Sequence, residues 1–271
     1  MTTLATATEI ATATVPLPMP LRSPLPDGLA GSTAVIVGGS SGIGLAAGAL
    51  LHSVGARVVL IGRDQARLDG AVDRLRAAEG PEVLAASADG GDEQALARIL
   101  DQVGDVEHVL VTAGGLAGAG PIDTLTPEAV RATLDARIWG ALVAARVAAP
   151  RLPAGGSITL TSGIYTVRPI PGISAPLAAI GAVETLTGAL AVELAPRRLR
   201  VNTVRYGSVD TPLMRGVSGL STDEAIAEAG ATTLLGRFAT PTEAAATAVF
   251  LMANTYVNGQ IITVDGGQTL V

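Results

Sequence analysis

Cysteine and lysine are both absent from this chain, and aromatic residues are scarce. The absence of cysteine excludes a disulfide framework and thiolate chemistry. The absence of lysine leaves arginine as all 18 of the strongly basic side chains, so any mechanism that uses a lysine amine is excluded. Aromatic residues make up 2% of the 271 residues and apolar residues 48%. The composition therefore predicts a large core built from Ala, Val, Leu and Ile.

The charge pattern excludes further classes of partner. The formal net charge is −6, and no basic stretch is interleaved with aromatic residues, which argues against a nucleic-acid partner. His52 and His108 lie far apart and lack the spacing of metal ligands, so we expect no metal site. Charges and prolines interrupt the apolar stretches, so we expect no membrane span and no membrane partner. The start of the chain has no secretory pattern, and we expect a cytoplasmic protein.

Residues 1–28 differ from the rest in being rich in Thr, Ala and Pro, with prolines in alternation between residues 16 and 26. This composition predicts a flexible or extended N-terminal arm. An arm that docks on a neighbouring subunit is the alternative.

From about residue 32 the sequence alternates short β-branched runs with helical patterns. Strands are predicted at residues 33–37, 57–61, 82–87, 108–112, 157–161, 200–205 and 260–264, and helices at 42–54, 64–78, 92–103, 126–149, 175–195 and 241–253. The alternation predicts an α/β fold over residues 29–271: a single doubly wound, Rossmann-type parallel sheet of about seven strands with helices on both faces. Ligands of such sheets bind beyond the carboxyl ends of the strands.

Two stretches, Ala141–Ala149 and Leu177–Leu194 in the predicted helices 126–149 and 175–195, are apolar on more than one face. A helix buried on all sides packs against more than its own sheet. We therefore expect a homodimer or homotetramer assembled through these helices, the alternative being that they are alanine-rich surface.

The segment at about 211–238 is predicted to form a lid over the pocket, with movement allowed by Gly216, Gly219 and Gly230. Its apolar residues, Leu213, Met214, Leu220, Leu234 and Leu235, suggest an apolar wall and hence an apolar small-molecule substrate.

A glycine-rich loop, residues 38–44 with the sequence Gly-Gly-Ser-Ser-Gly-Ile-Gly, follows the first predicted strand and opens the first predicted helix. Gly38 permits a tight turn, and Gly42 and Gly44 let the backbone approach a pyrophosphate at the helix N-terminus. Ser40 and Ser41 can donate to phosphate oxygens. The loop predicts a dinucleotide site.

The residues after the second strand bear on which dinucleotide binds. An acid that would hold the ribose hydroxyls is normally found about 20 residues past such a loop. Here the place is taken by Gly62, followed by Arg63, which can pair with a 2′-phosphate. The pair favours NADP(H) over NAD(H) as the cofactor.

Further motifs run through residues 33–267, and with the glycine loop they resemble the short-chain dehydrogenase/reductase family. They are Asp89-Gly90 after the third strand, Thr112-Ala113-Gly114-Gly115 after the fourth, residues 201–204 and 207–211 around the sixth, and residues 258–260 and 264–267 at the last. The resemblance implies cofactor contacts at Gly38, Ser40, Ser41, Gly42, Ile43, Gly44, Arg63, Asp89, Gly90, Ala113, Gly114, Gly115, Gly207, Val209 and Thr211.

The resemblance fails at the catalytic positions. The family's carbonyl chemistry uses a tyrosine, a lysine one helical turn later, a serine and an asparagine. The aligned positions hold Pro176, Ile180, Gly163 and Arg137. A chain without lysine cannot restore the pair in another register, and an unassisted tyrosine, with a pKa of about 10, is a weak acid at neutral pH.

Three nearby residues are candidate catalytic replacements: Ser162, Tyr165 and Arg137. Ser162 and Tyr165 follow the fifth strand and can hydrogen-bond a substrate, the alternative being loop packing or strand capping. Arg137, and also Arg205, can bind an anionic substrate or stabilise an enolate. For Arg137 the alternative is a salt bridge across an oligomer face.

Three functions remain open from the sequence. The first is an atypical NADP(H)-dependent oxidoreductase that transfers hydride to an activated C=N, C=C or C=O group of a small apolar substrate. The second is a non-redox enzyme of the same fold, such as an isomerase, dehydratase or cyclase. The third is a non-catalytic NADP(H)-binding protein.

Overall fold

The computed structural model describes residues 22–115, 118–216 and 219–271. They contain one sheet of seven strands in the order β3-β2-β1-β4-β5-β6-β7, and every neighbouring pair is parallel. The strands are β1 (Thr33–Val37), β2 (Arg57–Gly62), β3 (Val83–Ser87), β4 (His108–Val111), β5 (Ser157–Gly163), β6 (Arg200–Tyr206) and β7 (Ile261–Val264). The predicted doubly wound α/β sheet is confirmed, and all seven strands lie where the sequence predicts them.

Helices cover both faces of the sheet. They are α1 (Gly42–Ser53), α2 (Gln65–Arg76), α3 (Glu93–Val103), α4 (Pro127–Leu134), α5 (Gly140–Ala148), α6 (Ser174–Glu193), α7 (Pro212–Arg215), α8 (Asp223–Ala231) and α9 (Pro241–Ala253). Buried side chains of α1, α2 and α9 form one core cluster with the sheet, and those of α3, α5 and α6 form the other. Within the described residues the fully buried members are Ala, Val, Leu and Ile with two exceptions, Tyr206 and Met252.

The sheet order places the candidate site. The chain leaves β3 at one edge and crosses back to β4, on the other side of β1. The loops after β1 and β4 therefore turn to opposite faces, and a crevice opens between them at the carboxyl ends.

The helix predicted over residues 126–149 differs from the prediction in one respect. A π-helical turn, Asp135–Trp139, joins α4 to α5. Such turns carry one extra residue per turn and occur frequently at functional sites. This turn carries Arg137.

Helix α6, Ser174–Glu193, is long and apolar enough to cross a membrane by length and composition, which the sequence analysis did not anticipate. Ala179, Val183 and Leu190 are nevertheless buried in the domain, and the helix packs against β5 and β6. This is the behaviour of a core helix in an α/β domain.

The predictions for the arm and the assembly stay predictions. Residues 1–21 of the arm lie outside the described residues, and Pro26–Leu29, at its end, forms a 3-10 turn. The oligomer predicted through helices 126–149 and 175–195 also remains an expectation.

A buried pair lies at the amino ends of the strands, away from the crevice. His108 Nδ1 is 2.8 Å from Ser157 Oγ on the neighbouring strand. Burial, reinforced by the positive charges of Arg200 and Arg22, lowers the pKa of His108 to about 3. The native ring therefore stays neutral at every pH at which the protein would normally be handled.

This pKa predicts an acid-sensitive contribution to stability. Between pH 6.5 and about 3, His108 takes up a proton in the unfolded chain but not in the native one. Acid therefore stabilises the unfolded chain, so the contribution of His108 to the unfolding free energy is complete above pH 6.5 and is lost as the pH falls. Lowering the pH from 7 to 5 should cost about 2 kcal/mol of unfolding free energy from this residue. Urea unfolding of the wild type and His108→Gln at both pH values measures it. Equal losses in the two proteins would contradict the assignment.

Candidate active site

The glycine loop is held against β4 by contacts that leave no space for side chains. A Cβ on Gly44 would lie 2.6 Å from Thr112 Oγ1 and would overlap the carbonyl oxygen of Gly38. A Cβ on Gly38, which has a φ of 97°, would lie 2.6 Å from Ala113 N. The glycine loop therefore lies too close to Thr112 and Ala113 for either position to carry a side chain, which explains glycine at both.

Thr112 fastens this contact. Its hydroxyl donates to the carbonyl oxygen of Gly38 at 3.1 Å, and Ala113 N donates to Val37 O at 3.0 Å. The threonine thus fixes the loop from the side of β4, a role that the sequence analysis did not assign to it.

The N-terminus of α1 faces the crevice with unsatisfied donors. Among the described residues no side chain caps this helix, although its N-cap is Ser41. Gly42 has a φ of 54°, and a Cβ on it would lie 3.4 Å from Thr211 of the loop after β6. Free helix amides, a positive helix end and a close glycine backbone together fit a pyrophosphate group.

The end of β2 supplies the groups expected around an adenosine. A Cβ on Gly62 would lie 3.3 Å from Ser40 Oγ, so the hydroxyl of Ser40 borders the space beside Gly62. Arg63 is exposed and joins no ion pair within the described part of the chain. Ser40 and Arg63 therefore fit a phosphate on the ribose.

The loop after β3 lies at the carboxyl end of the sheet, as does the loop after β2. Asp89 accepts a hydrogen bond from Gly91 N through Oδ1 at 2.8 Å, so its carboxylate shapes the turn. Gly90 packs against Val37 and Ala113, where a Cβ would lie 2.9 Å from Val37 Cγ1. The structure thus brings Gly90 and Ala113 together, as the resemblance implies.

The loop after β6 completes the crevice. A Cβ on Gly207 would lie 2.6 Å from the Cα of Asp265, and Val209 is buried and pairs with Ala239. The hydroxyl of Thr211 accepts from Met214 N at 3.2 Å and caps α7. Thr211 stands beside the glycine loop, so the crevice has protein on both sides.

Sequence reasoning missed Gln268. Its Oε1 accepts from Ser208 N at 2.7 Å, and its Nε2 donates to Ser208 Oγ at 3.1 Å. Arg168 in turn donates to the backbone oxygen of Gln268. The C-terminal turn therefore ties the loop after β6 to the loop after β5, and the only signal for it was its place after the Val264–Gly267 motif.

The positions aligned with the family's serine, tyrosine and lysine form an apolar surface. Pro176 and Ile180 are buried on α6, and a Cβ on Gly163 would lie 3.7 Å from Ile180 Cδ1. Proline is accommodated because α6 begins at Ser174, so position 176 falls in the first turn, where an N–H has no intrahelical acceptor. These three residues offer no proton donor.

Only one of the chain's tyrosines is placed to serve as a donor. Tyr206 is buried in the core cluster beneath α9, and burial raises its pKa. Tyr256 is 99% exposed in the loop between α9 and β7, before the amino end of that strand. Tyr165 is half-buried in the turn after β5, and its hydroxyl has no hydrogen-bond partner among the residues that the structure describes.

Ser162 belongs to a polar cluster behind the apolar surface. Its hydroxyl donates to Glu184 Oε1, which also accepts from Thr166 Oγ1 at 2.9 Å and Arg205 Nε at 2.8 Å. Burial alone raises the pKa of Glu184, but the hydrogen bonds from Arg205, Ser162 and Thr166 outweigh it, and the pKa lies below its ordinary value. The Glu184 carboxylate is ionised and is not a proton donor.

This cluster corrects one expectation from the sequence. Arg205 Nη2 lies 2.7 Å from Glu184 Oε2, so its guanidinium is neutralised inside the protein. It is not a cation available to an anionic substrate. The hydroxyl of Ser162 is engaged with the same carboxylate, which is the strand-end packing that the sequence analysis held as the alternative.

Arg137 is placed differently. Its guanidinium lies over Gly114, where a Cβ would overlap it, and its Nη2 donates to Gly115 O at 3.2 Å. Its Nε is buried and has no hydrogen-bond partner among the residues that the structure describes. Burial lowers its pKa from the ordinary arginine value. Within the described ranges, no carboxylate pairs with it.

The predicted lid contains α7 and α8, which the sequence did not predict, while Val217 and Ser218 lie outside the described residues. Gly230 differs from its expected role as a flexible point: it is buried, and a Cβ on it would lie 2.9 Å from the Cα of Arg237. Leu234 and Leu235 stand over the C-terminal turn against Gly267 and Gly266. These two residues of the predicted apolar wall thus lie beside the loop after β7.

Comparison with known proteins agrees with this geometry. The family described as Enoyl-(Acyl carrier protein) reductase matches residues 37–269. The short-chain dehydrogenase/reductase malC of Malbranchea aurantiaca is 30% identical over 257 residues, covering 90% of this chain and 97% of that protein. The solved structure of MalC reductase/Diels-Alderase from the same organism superposes with a TM-score of 0.84 at 29% identity, covering 91% of this chain and 99% of that one.

A second solved structure, a short chain dehydrogenase from Burkholderia cenocepacia J2315 in complex with NADP, superposes with a TM-score of 0.79 at 29% identity. It covers 89% of this chain and 98% of its own. The chain therefore belongs to the short-chain dehydrogenase/reductase family, a family of oxidoreductases.

The close contacts of the glycine loop predict a sharp contrast between two Gly→Ala variants. Gly44→Ala should destabilise the protein by about 2 kcal/mol or more and weaken NADPH binding at least about tenfold, because the added Cβ meets fixed backbone. Gly70→Ala, on exposed α2 with open space around it, should be neutral or stabilising by up to about 1 kcal/mol. Thermal unfolding and quenching of Trp139, the single tryptophan, measure both quantities. Similar behaviour of the two variants would contradict the packing described.

Proposed function

We propose that this protein is an NADP(H)-dependent oxidoreductase that transfers hydride to an already activated C=N, C=C or C=O group of a small apolar substrate. The observation that carries the proposal is a contrast inside one crevice. The backbone features that fit a dinucleotide are complete at Gly38, Gly44 and the N-terminus of α1. The surface where a proton donor belongs consists of Gly163, Pro176 and Ile180.

This contrast limits which substrate groups can accept hydride. A simple ketone needs a proton donor to stabilise the alkoxide that forms on reduction. Without a tyrosine–lysine pair, the substrate must itself supply the electrophile, as an iminium ion or an electron-poor double bond does. Tyr165 and Arg137 supply a hydroxyl and a cation for orienting such a group, neither of them paired within the described part of the chain.

The similar proteins support a redox reaction and the choice of NADP(H) as the cofactor. The matching family description names a reductase, and similar solved structures include complexes with NADP and NADPH. When bound, the dinucleotide would supply hydride. The residues that would hold it are the glycine loop, Ser40, Arg63 and Thr211.

A panel of acceptors tests the proposal. NADPH oxidation should be measurable with a preformed cyclic iminium salt or a cyclic enone and much slower with an unactivated ketone. Tyr165→Phe should lower the rate about tenfold or more by removing the free hydroxyl, while the matched variant Tyr256→Phe, at a 99% exposed site, should not. Binding of NADPH with no oxidation by any acceptor, or fast reduction of the plain ketone, would contradict the proposal.

A non-redox reaction is the second candidate, and one comparison favours it. The MalC structure, similar along 91% of this chain, is described as a reductase and a Diels-Alderase. An apolar surface with few polar groups suits a ring closure that needs orientation rather than proton transfer. Turnover of a diene-containing substrate that persists after all nicotinamide has been removed would favour this candidate over the first.

Arg63 tests the choice between the two dinucleotides. Arg63→Ala should weaken NADPH binding about tenfold or more by removing a charged hydrogen bond to the 2′-phosphate, and leave NADH binding unchanged. Arg67, an exposed arginine in the first turn of α2, gives the matched control: Arg67→Ala should change neither affinity. Trp139 quenching by each dinucleotide gives the affinities. An equal loss for NADPH and NADH would argue against a phosphate contact at Arg63.

A further inference from the structure

Arg137 differs from three other arginines near the carboxyl ends of the strands. Arg205 is paired with Glu184, Arg215 with Asp210 and Asp223, and Arg237 with Glu243, at distances of 2.6 to 2.8 Å. Each of these cations is neutralised by a carboxylate of the chain itself.

Among the described residues Arg137 has no such partner. One nitrogen, Nη2, donates to Gly115 O, and Nε is buried without an acceptor. A desolvated cation with an unmet donor raises the free energy of the unliganded protein, and an anion that reaches it would recover much of that cost.

The place of the guanidinium decides where such an anion would lie. The π-helical turn that carries it packs against α6, whose first turns present Pro176 and Ile180. The guanidinium itself covers Gly114, in the loop after β4 and beside the crevice. It therefore borders the apolar surface where the family resemblance places the reacting substrate.

We propose that Arg137 is a substrate-binding residue that selects ligands bearing a carboxylate on an otherwise apolar frame. This inference rests on the proposed function for the identity of the pocket, and it adds the chemical class of the substrate. A planar guanidinium matches a planar carboxylate through two parallel hydrogen bonds. The apolar side chains of Pro176 and Ile180 select the rest of the molecule.

A bound dinucleotide is the competing partner for Arg137, because the loop after β4, which the guanidinium covers at Gly114, also borders the expected cofactor site. In that case the arginine would hold a ribose or phosphate and would not distinguish charged from neutral substrates. The two assignments make opposite predictions for cofactor and substrate binding, and one set of titrations separates them.

The test is calorimetric titration of the protein saturated with NADP⁺, using trans-cinnamate and its uncharged isostere cinnamamide as probes. Wild type should bind cinnamate at least about tenfold more tightly than the amide, as a desolvated charged hydrogen bond provides. Arg137→Gln should abolish this preference and leave the affinity for NADP⁺ within about twofold. Arg137→Lys, which keeps the charge but loses the planar fork, should retain part of it.

Arg131→Gln is the matched control, because Arg131 is exposed on α4 and pairs with Glu128. It should behave as wild type, and far-ultraviolet circular dichroism checks that all variants are folded. Failure of wild type to bind cinnamate, survival of the preference in Arg137→Gln, or loss of NADP⁺ affinity with discrimination intact would each overturn the assignment. None of these readings depends on hydride transfer, so they remain interpretable even when no acceptor oxidises NADPH.

Discussion

The rest of the molecule depends on the backbone contact between the loop after β1 and the loop after β4. Gly38, Gly44 and Thr112 meet there without intervening side chains, and the hydroxyl of Thr112 closes the contact. The contact sets how closely α1 can approach the sheet and aims its free N–H groups into the crevice. Because those groups carry the positive end of the helix dipole, the same geometry that packs the domain would also favour an anion there.

The features that fit a dinucleotide and those that would transfer a proton depend on different parts of the chain. The dinucleotide features are backbone features, and they persist when side chains change. Proton transfer needs specific side chains, and Pro176, Ile180 and Gly163, at the positions that the family resemblance aligns with the catalytic residues, offer none. The polar groups nearby are divided between a closed cluster around Glu184 and the Arg137 guanidinium, with which no carboxylate of the described residues pairs. That division favours a substrate whose C=N, C=C or C=O group is already activated.

The sequence predicted what depends on local pattern. Alternating apolar runs place all seven strands, and the glycine loop and its helix lie where the spacing put them. The sequence could not show contacts between distant side chains: Ser162 and Arg205 were expected at the pocket, but Glu184, from α6, takes both. The π-helical turn could not be predicted either. Its hydrogen bonds are shifted by one residue, while the helical pattern of the sequence is unchanged.

A crystal structure of the protein grown with saturating NADP⁺ tests the central claim most directly. The account predicts the pyrophosphate at the N-terminus of α1, the 2′-phosphate at Arg63 and the nicotinamide beside Thr211, with the Arg137 guanidinium facing the space next to it. A crevice without dinucleotide at saturation, or a dinucleotide bound elsewhere on the domain, would contradict it.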